Sequence, residues 1–101
     1  MKIHMEYPRR ILIVDDDTYI RTSIQDALEA LGHHVETAQD GFEALAKLAF
    51  DIDLVLSDID MPGMDGYVLT SKIKADKRFQ GIPVVMHSSL SADANISIGK
   101  N

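Results

Sequence analysis

Short apolar runs in this chain alternate with segments whose apolar residues recur every three or four positions. The two periods predict strands alternating with helices. Ile11–Asp15 reads as a buried strand, because Ile11-Leu12-Ile13-Val14 is unbroken by polar residues. From Asp17 or Thr18 to Leu31, the residues Ile20, Ile24, Ala27, Leu28 and Leu31 keep helical spacing, and Gly32 follows as a helix C-cap. Val35–Ala38 predicts a short, half-polar edge strand. Asp40 with Glu43 three residues on has the form of a capping box, opening a helix through about Ala49 with Phe42, Leu45 and Ala49 inward. Leu54–Asp58 predicts the central strand, Gly66 to Ala75 a helix that buries Leu69 and Ile73, and Pro83–His87 a further strand. Ser91 is placed to cap a last helix. This alternation predicts an α/β fold with a parallel, doubly wound sheet.

The strand ends carry the candidate chemistry. Leu54-Val55-Leu56-Ser57 runs into Asp58, and the punctuated loop Ile59-Asp60-Met61-Pro62-Gly63-Met64-Asp65-Gly66 follows at once. Open α/β sheets bind their ligands beyond the carboxyl ends of their strands, which is where this pattern delivers Asp58. The first strand likewise ends in Asp15-Asp16-Asp17. Two such ends side by side would gather at least three negative charges, and like charges that close disfavour ionisation unless a cation sits between them. A hard divalent cation with oxygen ligands suits the set, and magnesium commonly joins carboxylates to a phosphate. Taken one at a time, the same residues have blander readings. Asp15–Asp17 suits an N-cap with first-turn acids, Asp58 a strand-end cap, Ser88 a turn, and Asp65-Gly66 ordinary turn chemistry.

Composition narrows the classes. With 101 residues and 46% hydrophobic content, the chain predicts one domain with a modest core. There is no cysteine, which removes disulfides and thiolate metal sites and fits a cytoplasmic location. No apolar stretch approaches the ~20 residues that cross a bilayer, and the start of the chain has no signal-peptide core. A net charge of −6 argues against a nucleic-acid surface, which needs clustered Lys and Arg. Residues 1–9 read as a leader, of which Met1–Met5 is either native or a cloning remnant, and residues 10–101 as the folded domain.

In combination these motifs resemble the receiver (phosphoacceptor) domain of two-component response regulators. An acidic pair ends the first strand. An aspartate ends the third, with Asp60-Met61-Pro62-Gly63-Met64-Asp65-Gly66 behind it, and a hydroxyl follows the fourth. The resemblance implies a flavodoxin-like fold with strand order 2-1-3-4 for the strands present. It implies Asp58 as phosphoacceptor, Asp15 and Asp16 as the acidic magnesium pair, and Asp60 as donor of a backbone carbonyl to the metal. Of the acidic pair it favours Asp16 as the direct ligand, with Asp15 acting more through water. It implies Ser88 as the hydroxyl that bonds the phosphoryl oxygen. The implied donor is a sensor histidine kinase or phosphotransfer protein, and the implied recipient an output domain or chemotaxis partner. Val85-Met86-His87-Ser88-Ser89-Leu90-Ser91 is also similar to the receiver portion of chemotaxis coupling proteins.

The family pattern continues with a fifth strand, opened by a lysine that pairs with the phosphoryl group, and a fifth helix. The chain ends at Asn101, and Lys100 stands in the wrong place for that lysine, so the expectation is a receiver incomplete at its C-terminus, either a piece of a longer chain or a shortened receiver. Pro83–His87 would then be an apolar edge open to pairing with a second chain. Two rival functions remain. One is a pseudo-receiver that binds partners without phosphorylation. The other is an aspartyl-phosphate hydrolase, suggested by Asp58-Ile59-Asp60 but set against it by the acid pair lying upstream. His87, beside serines, is expected to face away from Ser88 and to be structural or on the surface.

Overall fold

A computed structural model of the protein describes residues 8–88. The expected helix after Ser91, and Lys100, lie outside the described residues. Seven elements follow in order: β1 (Arg10–Val14), α1 (Thr18–Ala30), β2 (His34–Ala38), α2 (Gly41–Lys47), β3 (Leu54–Asp58), α3 (Gly66–Ala75) and β4 (Val84–His87). The sheet order is β2-β1-β3-β4, and every neighbouring pair is parallel. The doubly wound sheet expected from the alternation is therefore the fold. Among the described residues, no helix is long and apolar enough to cross a membrane.

The caps explain where the helices start. Asp17, Asp40 and Asp65 each stand in extended conformation before a helix and accept a hydrogen bond from a first-turn amide: Ile20 at 3.1 Å, Glu43 at 2.7 Å and Val68 at 2.9 Å. Each bond satisfies a donor that the helix itself leaves unpaired. Glu43 completes its side of the box one residue early, with Oε1 accepting from the Gln39 amide at 2.7 Å. At the far end of α1 the Gly32 amide donates to the Glu29 carbonyl and the glycine takes φ +94°, the left-handed conformation expected of a C-cap position.

Alternation along β1 splits its side chains between two layers. Leu12 and Val14 join Val55, Ala44 of α2, and Leu69 and Ile73 of α3 in the main core. Ile11 and Ile13 face the other way and are equally buried, under α1, which packs over β1 and β2. No α1 residue is fully buried: Ile20, Ile24 and Leu28 are half-buried, while Ala27 is exposed and Leu31 is 72% exposed.

The inward face of α2 differs from the expectation. Phe42 is 62% exposed and Ala49 is exposed, beyond a helix that stops at Lys47; Gly41 and Ala44 are buried instead. The cause is tertiary. Met64, from the loop after β3, packs so close to Gly41 that a methyl group there would lie 2.5 Å from its sulfur. That close approach turns the small-residue edge of α2 inward and leaves the Phe42 ring over the loop at Gly63.

Candidate functional site at the carboxyl ends of the strands

β1 and β3 are adjacent in the sheet, but their following helices pack on opposite faces. Their carboxyl ends form the topological switch point, where doubly wound folds hold ligands. Asp15 is the first residue after β1 and Asp58 the last of β3. Their residues are 0% and 2% exposed, so both carboxylates have been taken out of bulk water. Val14 pairs with Ser57 and Asp58 with His87, so β1, β3 and β4 present these side chains at one level.

Local bonds fix the backbone around each acid. The Asp15 amide donates to the Ala38 carbonyl at 3.1 Å, tying the end of β1 to the end of β2. Asp15 Oδ1 accepts from the Asp17 amide at 2.8 Å, a turn that delivers Asp17 to its cap position. Arg21 directs Nη1 at the Asp15 backbone oxygen, 2.6 Å away, not at its carboxylate. Behind Asp58, the Gly66 amide donates to the Ile59 carbonyl at 2.8 Å. A methyl group on Gly66 would lie 2.5 Å from the Asp58 carbonyl oxygen, so only glycine lets α3 begin this close to the strand end. Met61 and Met64 are buried in the core and pin the loop that carries Asp60.

The structure thus brings Asp15 and Asp58 together. Asp16 is exposed just beyond them, Asp60 is exposed in the loop, and Ser88 is half-buried directly after β4. The unexpected member is His87. One nitrogen of its ring and one carboxylate oxygen from each of Asp15 and Asp58 lie within 4.8 Å of one another. Nε2 of His87 is 3.7 Å from Asp15 Oδ2, and neither atom has a hydrogen-bond partner although both are buried. Its register opposite Asp58 puts His87 in the site, where it was expected to be structural or on the surface. The signal was the pairing of Asp58 with His87 across β3 and β4, which no local pattern contains.

The electrostatics follow from this crowding. Burial pushes the Asp15 carboxyl above the usual carboxylate range, and the Asp58 and Asp16 charges add to the shift. The bond from the Asp17 amide and the nearby His87 oppose it. A carboxylate with an unsatisfied buried oxygen, next to a second carboxylate, is a site that favours a cation.

A doubly wound sheet of order 2-1-3-4, with an acidic site at its switch point, is the receiver architecture. The chain belongs to the response regulator receiver domain family, whose model matches residues 11–99. Over 84 residues it is 42% identical to the gliding motility regulatory protein of Myxococcus xanthus, covering 82% of this chain and 11% of that protein. Over 65 residues it is 49% identical to the sensor histidine kinase RcsC of Salmonella typhimurium, covering 63% of this chain and 7% of that protein. Among solved structures, the chemotaxis protein CheY4 of Vibrio cholerae superposes with a TM-score of 0.77 at 33% identity, over 92% of this chain and 78% of that one. The chain spans only a small part of these two curated relatives. It is a receiver domain of the two-component signalling class, with a resemblance to chemotaxis regulators.

Proposed function

We propose that the protein accepts a phosphoryl group on Asp58 from the phosphohistidine of a sensor kinase or phosphotransfer protein. The observation that carries this reading is the buried Asp58 carboxylate at the switch point, beside the partnerless Oδ2 of Asp15. An Asp58 carboxylate oxygen attacks phosphorus, the O–P bond forms, the N–P bond of the donor breaks, and the departing imidazole takes up a proton. Attack by an anion on an anionic donor is slow unless charge is neutralised and the groups are aligned.

The donor set fits magnesium, with Asp15, Asp16 and Asp58 supplying carboxylate oxygens and Asp60 its backbone carbonyl. When bound, the ion supplies charge neutralisation and alignment. Asp15 and Asp58 hold their carboxylates at one level of the sheet, and Gly66 keeps α3 pressed against the strand end. Ser88, at the end of β4, is within the length of one residue of the site and offers a hydroxyl to the phosphoryl oxygens. A new dianionic group pulls such donors towards it, so the β4 end is the place where phosphorylation becomes a change of shape. The recipient is a partner protein or an output domain, and the location is the cytoplasm, where phosphohistidine donors are made from ATP. β4 is an outer strand of the described sheet, with Val85 43% exposed. We assign it as the edge through which a second copy would associate, an expectation that sedimentation at several concentrations checks.

The test is incubation with acetyl phosphate and magnesium, read by intact mass and by peptide mapping. Acid-labile phosphate on Asp58, lost in Asp58→Asn and in excess chelator, is the expected result. Equal labelling of Asp58→Asn would overturn the assignment, and a folded protein that takes no label would favour a pure interaction module.

A further inference from the structure

We infer that His87 converts the acidic pocket into a mixed nitrogen–oxygen site for a divalent transition-metal ion of the zinc class. Asp15, Asp58 and His87 each supply one ligand atom. The inference rests on the receiver reading for the identity of the pocket but not on phosphorylation taking place.

The geometry carries it. β1 and β4 flank β3, so their backbones stand roughly 10 Å apart at two strand spacings. His87 nevertheless reaches over the end of β3 to bring Nε2 to 3.7 Å from Asp15 Oδ2. That separation is too long for a hydrogen bond. It is the edge that two ligands span when each lies about 2.0–2.2 Å from one ion at a wide angle. Asp58 closes the third side, all three donor atoms lying within 4.8 Å of one another. Both atoms of the long pair are buried and lack hydrogen-bond partners, and Asp15 is 0% exposed, so two ligand atoms face each other in the pocket with no hydrogen bond to satisfy them. The Ile59 amide, bonded to the His87 carbonyl at 3.0 Å, fixes the backbone from which the imidazole projects.

The ligand type decides the metal. Magnesium takes oxygen donors and gains nothing from an imidazole, whereas zinc, cobalt and nickel bind imidazole well. Two carboxylates and one imidazole therefore favour a borderline ion over magnesium. An ion held this way uses the Asp58 carboxylate as a ligand and competes with the ion that phosphoryl transfer needs.

The experiment is calorimetric titration of the metal-free protein with ZnCl2 and, separately, with MgCl2, on the parent, His87→Asn and His87→Ala. One zinc per chain is expected, and either His87 variant should lower the ratio of zinc to magnesium affinity about ten-fold or more. Circular dichroism identifies the variants that fold. Independently of any variant, Co2+ bound to the parent should show d–d absorption with an imidazole nitrogen in its coordination shell by X-ray absorption. An unchanged affinity ratio in a folded His87 variant, or an all-oxygen shell around cobalt, overturns the inference. Labelling by acetyl phosphate in magnesium alone is read in parallel. A protein that labels on Asp58 yet binds zinc equally without His87 keeps the phosphoacceptor function and loses the zinc site. A protein that takes no label yet needs His87 for its zinc preference keeps the zinc site and loses the phosphoacceptor function.

Discussion

The two ends of the β-sheet treat charge in opposite ways. At the amino end Arg10 sits among acids that it satisfies. Its Nε is 3.0 Å from Asp51, its Nη2 is 3.9 Å from Glu36, and its backbone amide donates to Asp53 at 2.8 Å. All of these groups are at least partly in water, where such pairs hold a connection in place and little more. At the carboxyl end, Asp15 and Asp58 are buried side by side and Arg21 gives its guanidinium to a backbone oxygen. One end is finished as structure. The other leaves a buried oxygen without a hydrogen-bond partner, a cost that a bound cation would offset.

The largest test of this contrast exchanges equivalent acids at the two ends. Asp58→Asn should lose all acid-labile phosphate, while Asp51→Asn at the other end should label at the parental rate under the same acetyl phosphate and magnesium. Comparable labelling of the two variants would erase the distinction. Next comes the packing that holds the functional end together. Gly66→Ala forces a methyl group against the Asp58 carbonyl and should destabilise the fold by about 1–3 kcal/mol, measured by urea denaturation. A neutral result would mean that α3 can retreat from the strand end at no cost.

A smaller effect, opposite in sign, is expected from Asp15→Asn in metal-free protein. The carboxyl of Asp15 is raised in the folded state, so between its unfolded and folded pKa the native state binds more protons than the unfolded one. Stability then falls as pH rises through that window, and the ionised Asp15 is a burden at neutral pH. The asparagine variant should therefore melt higher than the parent at pH 7 in chelator, and the gain should vanish as pH falls below the ordinary carboxylate range. A variant less stable than the parent at pH 7 would show that Asp15 is compensated after all. The smallest effect belongs to the amino end. Arg10→Ala should cost no more than about 1 kcal/mol, and less in high salt, because its partners are exposed.

Much of this molecule was legible in the chain. β3 and α3 run over the residues that their patterns predicted, and β1 differs by one position at each end. Strand and helix periods, aspartate caps and a C-capping glycine are relations among residues a few positions apart, so the chain states them directly. The family motif did the same for Asp15 and Asp58, because acids at strand ends in a parallel sheet converge whatever the details of packing.

What the chain could not state depends on partners far away along it. Phe42 has helical spacing for burial, yet Met64 takes the space against Gly41 and turns the ring out. The apolar stripe of α1 reads as core, yet it covers β1 and β2 and stays half-exposed. His87 reads as a structural or surface histidine, yet its register opposite Asp58 carries it to Asp15 across an intervening strand. Local sequence determined the elements and the acids at their ends, because backbone propensity and capping are short-range. Only the tertiary structure decided which faces are buried and which third side chain joins the acids, because register and close approach are set by the whole sheet.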